Sequence, residues 1–248
     1  KSRLLAEVAR RLGDGATVLT AQCDAAGGAT FAPLAGALRA FLRTDDAGDA
    51  VRVALDAVLP GDEPERARIG DGIAAVLAGT PASPEETFFV VRRFLAALAA
   101  TQPVVLAIDD LQWAEPLLLD LIEHLVQWST GVPLLLLAAA RPELRDARSS
   151  LATPGGLVAD VVTLRGLDAG AATRLAANVV GGEELPAAIA GRVLAASEGN
   201  PLFVGELVRM LVHDGVLKRE GDRWTTGVEV SALEMPPTIQ ALLAARIE

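Results

Sequence analysis

The sequence predicts an α/β fold in which a parallel sheet is covered by helices on both faces and is followed by a smaller helical domain. Short runs that are apolar at every position alternate with stretches of helical periodicity, as is typical of strands buried on both faces. The strand-like runs stop near residue 167, and helical stretches with short links follow. A chain of 248 residues is long enough for such a core and a satellite domain.

Residues 1–167 are assigned to the core by this succession of helix and strand patterns. Apolar residues at helical spacing from Leu4 to Leu12 predict a first helix, which Gly13 ends. Residues 45–71 are acidic and interrupted by proline and glycine, so they are predicted to be loop with weak helix. The other core elements are predicted as strands at residues 16–23, 103–110, 133–141 and 160–164, and as helices at residues 31–43, 87–100 and 117–128.

The remaining residues predict a helical lid domain and a hairpin. Three amphipathic patterns with short links assign residues 168–215 to the helical domain. Residues 216–230 predict a β-hairpin whose turn lies near Gly221. This hairpin opens a last segment, residues 216–248, in which residues 236–247 begin a helix of a following helical or winged-helix region.

Composition excludes several classes of function for this chain. The net charge is −10, whereas a DNA-binding surface needs clustered lysine and arginine to neutralise phosphates. DNA is therefore expected to be contacted only through a domain outside this chain. The single cysteine, Cys23, excludes an internal disulfide and is expected to be a buried apolar residue. The longest apolar run, residues 132–140, is too short to cross a bilayer. Together with the single cysteine, which fits a reducing cytosol, and the lack of a recognisable signal peptide, this predicts a cytoplasmic protein without membrane contact.

Two adjacent carboxylates follow the apolar run at residues 104–108. Ligands of α/β proteins bind at the carboxyl ends of parallel strands, so Asp109 and Asp110 are expected at a ligand-binding edge. The first acid of such a pair can hold Mg²⁺ through water, and the second can orient or deprotonate an attacking water. The alternative is a solvated turn that ends the strand. The position directly after a buried strand favours the catalytic interpretation.

Two further positions are compatible with this chemistry without establishing it. Arg141 ends the next apolar strand, where a guanidinium can sense a γ-phosphate or simply cap the strand. Lys1-Ser2 stands at the start of a helix, as the last residues of a GxxxxGK[ST] loop do. Taken alone, Lys1 and Ser2 fit an ordinary helix start better than the end of a Walker A loop.

Several stretches of the sequence match the motifs of one protein family in the right order. They are QCD at residues 22–24, FAPLAGALR at 31–39, VVLAIDDLQWAEPLLLDLI at 104–122, LLLLAAARPEL at 134–144, EGNPLFVGELVRML at 198–211 and PPTIQALLAARIE at 236–248. Together they resemble the AAA/STAND-like P-loop ATPase domain of large LuxR-type transcriptional regulators. The same domain also accompanies class III adenylate cyclases.

The resemblance implies a role for each matching residue. Residues 104–122 correspond to the Walker B region, residues 134–144 to the sensor-1 strand, and residues 198–211 to a GxP-type motif. From its residues alone, that last motif is an ordinary helix start. The implied nucleotide-binding residues are Lys1, Ser2, Gly199 and Pro201, the implied metal ligands are Ser2 and Asp109, and the implied catalytic residues are Asp110 and Arg141.

The function implied is that of an ATP-binding, slowly hydrolysing switch in a multidomain LuxR-type regulator, with Mg²⁺ as the metal. No arginine finger or AAA-type sensor-2 arginine is recognisable in the sequence, so the motifs do not fix the rate of hydrolysis. The expected partners are ATP and either a second copy or other domains of the same protein. Two alternatives stay open: an ATPase module attached to a class III nucleotide cyclase, and a degenerate fold that binds partners without hydrolysis.

The chain departs from the family at the front of the P-loop NTPase sheet. The printed sequence begins at Lys1 and does not contain the first strand or the glycine-rich loop of Walker A, which precede that lysine in the family. In the family, that strand lies between the sensor-1 strand and the final strand. The natural protein is therefore expected to continue upstream with both elements, and residues 1–248 alone are expected to bind ATP poorly.

Overall fold

A computed structural model describes residues 1–43, 51–53, 63–148, 160–221 and 223–226. The chain divides into two compact units between Val162 and Thr163. The first unit is a mixed α/β structure and the second combines helices with a hairpin. The helix predicted at residues 236–247 lies outside the described residues. Among those that are described, no helix is long and apolar enough to cross a membrane.

In the first unit, helices and strands alternate along the chain. The helices are α1 (Ser2–Leu12), α2 (Ala32–Leu42), α3 (Glu63–Ala78), α4 (Pro84–Thr101), α5 (Pro116–Trp128) and α6 (Glu143–Ala147), and the strands are β1 (Thr17–Gln22), β2 (Val104–Asp109) and β3 (Leu134–Ala138). Residues 51–53 are helical as well. This alternation confirms the predicted α/β class.

The three strands form a parallel sheet with β2 in the centre. Thr17 lies opposite Val104 and Gln22 opposite Asp109, so β1 and β2 end at the same level. All six residues of β2 are buried, which explains why the strand is apolar at every position up to its final carboxylate. The parallel arrangement brings the carboxyl ends of all three strands to one edge.

Helices α3 and α4 pack closely against each other beside this sheet. Ser83 caps α4 by accepting a hydrogen bond from the Glu86 N–H. Gly72 of α3 lies against the fully buried Val90 of α4, and a Cβ at residue 72 would stand 2.7 Å from a methyl carbon of Val90. A glycine is therefore what allows the two helices to approach this closely.

The prediction of loop with weak helix over residues 45–71 is wrong from Glu63 onward, where α3 begins. Pro64 lies in the first turn of α3, where the missing N–H of proline would have no partner within the helix. The proline therefore opens the helix and does not break it. Ile69, Ile73 and Leu77 recur every four residues and are buried in the core. The rest of the predicted loop is described only at residues 51–53.

The prediction of a strand at residues 160–164 is also wrong, because these residues form no regular structure. Val162 is 79% exposed. An apolar strand needs a neighbour to satisfy its backbone, and the described residues provide no strand beyond β3, where Leu135 is 52% exposed. The predicted strand at residues 133–141 is present but shorter, as β3.

The second unit contains three helices and one hairpin among its described residues. They are α7 (Ala169–Val179), α8 (Ala187–Ser197), α9 (Pro201–His213), β4 (Leu217–Glu220) and β5 (Arg223–Thr226). The two strands pair antiparallel from Leu217 opposite Thr226 to Glu220 opposite Arg223, which places the hairpin where the sequence predicts it. Ile189, Val204 and Val208 are fully buried at the centre of this unit.

Candidate active site

Asp109 is the last residue of β2 and one of the few buried polar side chains among the described residues, with 7% of its surface exposed. Its Oδ1 accepts a hydrogen bond from the Asp110 N–H at 2.9 Å. Its carbonyl oxygen accepts a bond from the Cys23 N–H at 3.0 Å, so β1 and β2 stay paired up to this level. A buried carboxylate is thus fixed at the carboxyl edge of the sheet.

Asp110 follows in a left-handed backbone conformation, with φ 52° and ψ 40°. Aspartate and asparagine tolerate this conformation better than most residues with a side chain. The chain then enters a 3-10 turn, Leu111–Trp113, and the side-chain amide of Gln112 in this turn lies next to Asp110. Gln112 Nε2 donates a hydrogen bond to Asp110 Oδ1 at 3.0 Å. The second carboxylate is therefore held by the turn that follows it.

Arg141 lies just beyond β3 and is held by two residues of the same turn. Its backbone N–H donates to Gln112 Oε1 at 2.9 Å. Its guanidinium lies over the Trp113 ring, 5.3 Å from the ring centre, a distance at which a cation is attracted to the face of an indole. The sequence motifs assign no individual role to Gln112 or Trp113, although both lie within three residues of Asp110.

Lys1 reaches the same edge from the start of α1. It occupies the N-cap position of that helix, and its Nζ donates to the Ala140 carbonyl oxygen at 2.5 Å. Ser2, the first residue of α1, is exposed. The predicted residues Lys1, Asp109, Asp110 and Arg141 are therefore brought to one edge of the sheet, and Ser2 stands beside the first of them.

Beside Asp110 lies an open groove with a volume of about 460 Å³. Its lining is mainly polar and comes from the end of β1 and the turn after β2. The lining residues are Gln22, Cys23, Asp24, Ala25, Asp110 and Trp113. Water and small polar ligands therefore have access to the Asp110 carboxylate.

Cys23 is buried, as predicted, with 2% of its surface exposed. Burial, followed by the charges of Asp110 and Asp109, raises the pKa of its thiol from 9.0 to about 11. The neutral thiol is the poorer nucleophile, because the thiolate is the reactive form. Cys23 therefore has no place among the reactive groups of the site.

We expect Cys23 in the folded protein to react slowly with iodoacetamide at pH 9, where about one thiol in a hundred is ionised. The rate should rise until the pH passes about 11, because the raised pKa delays formation of the thiolate. Asp110→Asn should speed the reaction at pH 9 by removing a nearby negative charge. Reaction at the rate of the denatured protein would contradict the buried position.

Gly199 and Pro201 belong to the second unit, where the structure gives Gly199 a packing role. Its φ is 71°, and its carbonyl oxygen accepts a hydrogen bond from the Leu167 N–H at 2.7 Å. A Cβ at residue 199 would stand 2.4 Å from the Leu167 carbonyl oxygen. Pro201 opens α9, which Asn200 caps by accepting from the Leu202 N–H at 3.1 Å. A contact of Gly199 and Pro201 with nucleotide stays a prediction.

The donors at the sheet edge suit a magnesium nucleotide. Mg²⁺ prefers oxygen ligands and is usually held by one or two carboxylates together with phosphates and water. Asp109 offers a carboxylate and Ser2 a hydroxyl, while Lys1 and Arg141 carry the charge that complements phosphates. The described residues contain no group of three or more His, Cys, Asp or Glu side chains arranged to hold a metal.

Comparison with known proteins identifies the family. The model of one family, described as the AAA ATPase domain, matches residues 1–137. The matched range includes Lys1, Asp109 and Asp110 and ends within β3, four residues before Arg141. No curated protein and no solved structure gives a match. Since the match covers more than half of the 248 residues and agrees with the parallel α/β sheet, the chain belongs to the AAA ATPase domain family.

Proposed function

We propose that this chain is the ATP-binding, slowly hydrolysing switch domain of a multidomain signalling protein. Membership of the AAA ATPase domain family supports a nucleotide-binding regulatory module. The observation that carries the proposal is the linkage of Lys1, Asp110 and Arg141 at the carboxyl edge of the sheet. These residues are far apart in sequence, and each supplies a group that phosphoryl transfer needs.

In this proposal, Lys1, Ser2 and Asp109 bind the triphosphate and its Mg²⁺. When bound, the metal ion neutralises phosphate charge and polarises the phosphoryl oxygens. Asp110 orients the attacking water and accepts its proton at a carboxylate oxygen. Arg141 directs its N–H donors toward the γ-phosphate, while Trp113 restrains the guanidinium through the ring contact.

The wider context of the switch is also part of the proposal. The resemblance assigns Gly199 and Pro201 to nucleotide binding, and hydrolysis or exchange switches the protein between two states, as in other nucleotide switches. The resemblance to LuxR-type regulators favours a cytoplasmic transcriptional regulator whose DNA-binding domain lies outside this chain. Besides ATP, the partners would be a second copy or other domains of the same protein.

Binding of MgATP tests the proposal. In the natural full-length protein, we expect Asp109→Asn to weaken MgATP binding about 10- to 100-fold, because the metal loses a carboxylate. Binding of ATP without a divalent ion should change little. Isothermal titration calorimetry measures both affinities.

Asp14→Asn is the matched control, because Asp14 is an exposed acid just before β1, at the opposite edge of the sheet. It should leave both affinities unchanged. Equal MgATP affinity in the wild-type protein and Asp109→Asn would show that the metal is not held at the end of β2, and the proposed site would then be wrong.

A further inference from the structure

The peptide group between Ala140 and Arg141 is hydrogen bonded on both sides by side chains of the candidate site. Its carbonyl oxygen accepts from Lys1 Nζ at 2.5 Å. Its N–H donates to Gln112 Oε1 at 2.9 Å. Gln112 Nε2 in turn donates to Asp110 Oδ1 at 3.0 Å. A continuous chain of hydrogen bonds therefore runs from the ammonium group of Lys1 to the carboxylate of Asp110.

The two partners of Gln112 determine how its amide is oriented. A backbone N–H can only donate, so the amide oxygen must face Arg141. The NH₂ group then faces Asp110, whose ionised carboxylate can only accept. Ionised glutamate at residue 112 would keep the acceptor and lose the donor, and methionine would lose both. Gln112 is thus matched to its two neighbours by chemistry as well as by length.

The backbone on either side of this chain of bonds is fixed by the sheet. The Ala139 N–H donates to the Ile108 carbonyl oxygen at 2.8 Å, and the Leu111 N–H donates to the Ala139 carbonyl oxygen at 3.0 Å. Pairing between the β2 and β3 segments therefore continues past the ends of both strands. Because the neighbouring backbone is held by these bonds, a change in the hydrogen bonding of the Ala140–Arg141 peptide is expected to affect Gln112 more than the surrounding backbone.

We propose that Gln112 is a positioning residue that aligns the Asp110 carboxylate and couples it to Lys1 through the Ala140–Arg141 peptide. An ammonium group bound to the carbonyl polarises the peptide and strengthens its N–H as a donor, because hydrogen bonds in a chain reinforce one another. A bound phosphate would accept from the same ammonium group as the Ala140 carbonyl, so nucleotide binding alters the same chain of bonds. This inference rests on the proposed ATPase function.

The first test is kinetic and uses the natural full-length protein. Gln112→Met and Gln112→Glu should each lower kcat about 10- to 100-fold while KM for MgATP changes less than about threefold, because alignment of the base is lost and binding is not. The matched controls are Gln127→Met and Gln127→Glu at an exposed position on α5, which should keep wild-type kinetics. Melting curves establish that each variant is folded.

The second test does not depend on turnover. In Lys1→Met, the side-chain NH₂ proton signals of Gln112 should move upfield in the NMR spectrum, toward those of the exposed Gln127, because the bond to Asp110 weakens. These signals are assigned by their loss in Gln112→Met. The proposed coupling is overturned if the Gln112 side-chain NH₂ signals do not shift in Lys1→Met. It is also overturned if a folded Gln112→Met variant keeps the wild-type kcat. If the wild-type protein does not hydrolyse ATP, the proposed function fails, while the NMR comparison still decides the coupling.

Discussion

Replacing Asp110 by asparagine should lower ATP turnover in the natural full-length protein about 10²- to 10⁴-fold, the range typical of losing a general base. The affinity for MgATP should stay within about threefold of the wild-type value, because Asp109 and Lys1 are unchanged. Single-turnover kinetics with radiolabelled ATP measure the chemical step, and calorimetry measures the binding.

The local geometry makes this substitution a clean one. Asparagine tolerates the left-handed backbone of residue 110 (φ 52°, ψ 40°), and its amide oxygen can still accept the bond from Gln112 Nε2. Asp110→Ala removes the same base but strains the backbone and leaves the Gln112 donor without its acceptor, so it should also lower stability. Comparison of the two variants separates the loss of the base from the loss of structure.

Two outcomes would contradict the assignment. Unchanged turnover in Asp110→Asn would favour a degenerate domain that binds partners without using this carboxylate. An equal loss in Asp14→Asn, at the opposite edge of the sheet, would point to a general effect of charge. The proposed role requires a large loss at residue 110 alone.

The parallel sheet and the edge at which Asp109 and Asp110 lie are predictable from sequence because the signals are local. A strand buried on both faces must be apolar at every position, so the carboxylates after Ile108 stand out. The start of α3 is not predictable from Pro64, because proline breaks the interior of a helix but is tolerated in its first turn. The strand predicted at residues 160–164 is absent because strand formation depends on a neighbour as well as on composition.

The contacts within the site were beyond prediction because they join distant residues. Gln112 meets the Arg141 N–H across 29 positions, and Lys1 meets the Ala140 carbonyl across 139. The spacing of residues along the sequence carries no information about either hydrogen bond. The resemblance pointed to Lys1, Asp110 and Arg141 one by one, whereas the peptide and the amide that link them have no sequence signature.

Gly199 illustrates how one residue can fit a functional motif and a packing constraint at once. In the sequence, it stands at the glycine of a GxP-type motif. In the second unit, its positive φ and its approach to Leu167 already require glycine. The presence of glycine at residue 199 is therefore weak evidence that this residue contacts nucleotide. Any test of that contact has to separate an effect on binding from an effect on stability.

Replacing Gly199 by alanine should lower the free energy of unfolding of the second unit by about 3 kcal/mol. Part of the loss comes from φ 71°, which disfavours any side chain. The rest arises because the new Cβ would stand 2.4 Å from the Leu167 carbonyl oxygen and 2.9 Å from its nitrogen. These are backbone atoms, so relief requires breaking the hydrogen bond from the Leu167 N–H to residue 199.

Two other glycines of the same unit provide matched controls. Gly221 has φ 65° and open space around it, so Gly221→Ala measures the conformational penalty alone, about 1 kcal/mol. Gly191 lies inside α8 with nothing near its Cβ position, so Gly191→Ala should stabilise by about 0.5–1 kcal/mol. Urea unfolding followed by Trp224 fluorescence, with Trp113 and Trp128 replaced by phenylalanine, reports on this unit.

The difference between Gly199→Ala and Gly221→Ala then isolates the contact with Leu167. A difference near zero would mean that residues 166–168 and 198–200 are not held together as the structure has them. If the difference is about 2 kcal/mol, any loss of MgATP affinity in Gly199→Ala has to be compared with Pro201→Ala. Alanine is an acceptable residue at the start of α9 and leaves the Leu167 contact intact, so a loss of affinity in Pro201→Ala reflects nucleotide contact and not unfolding.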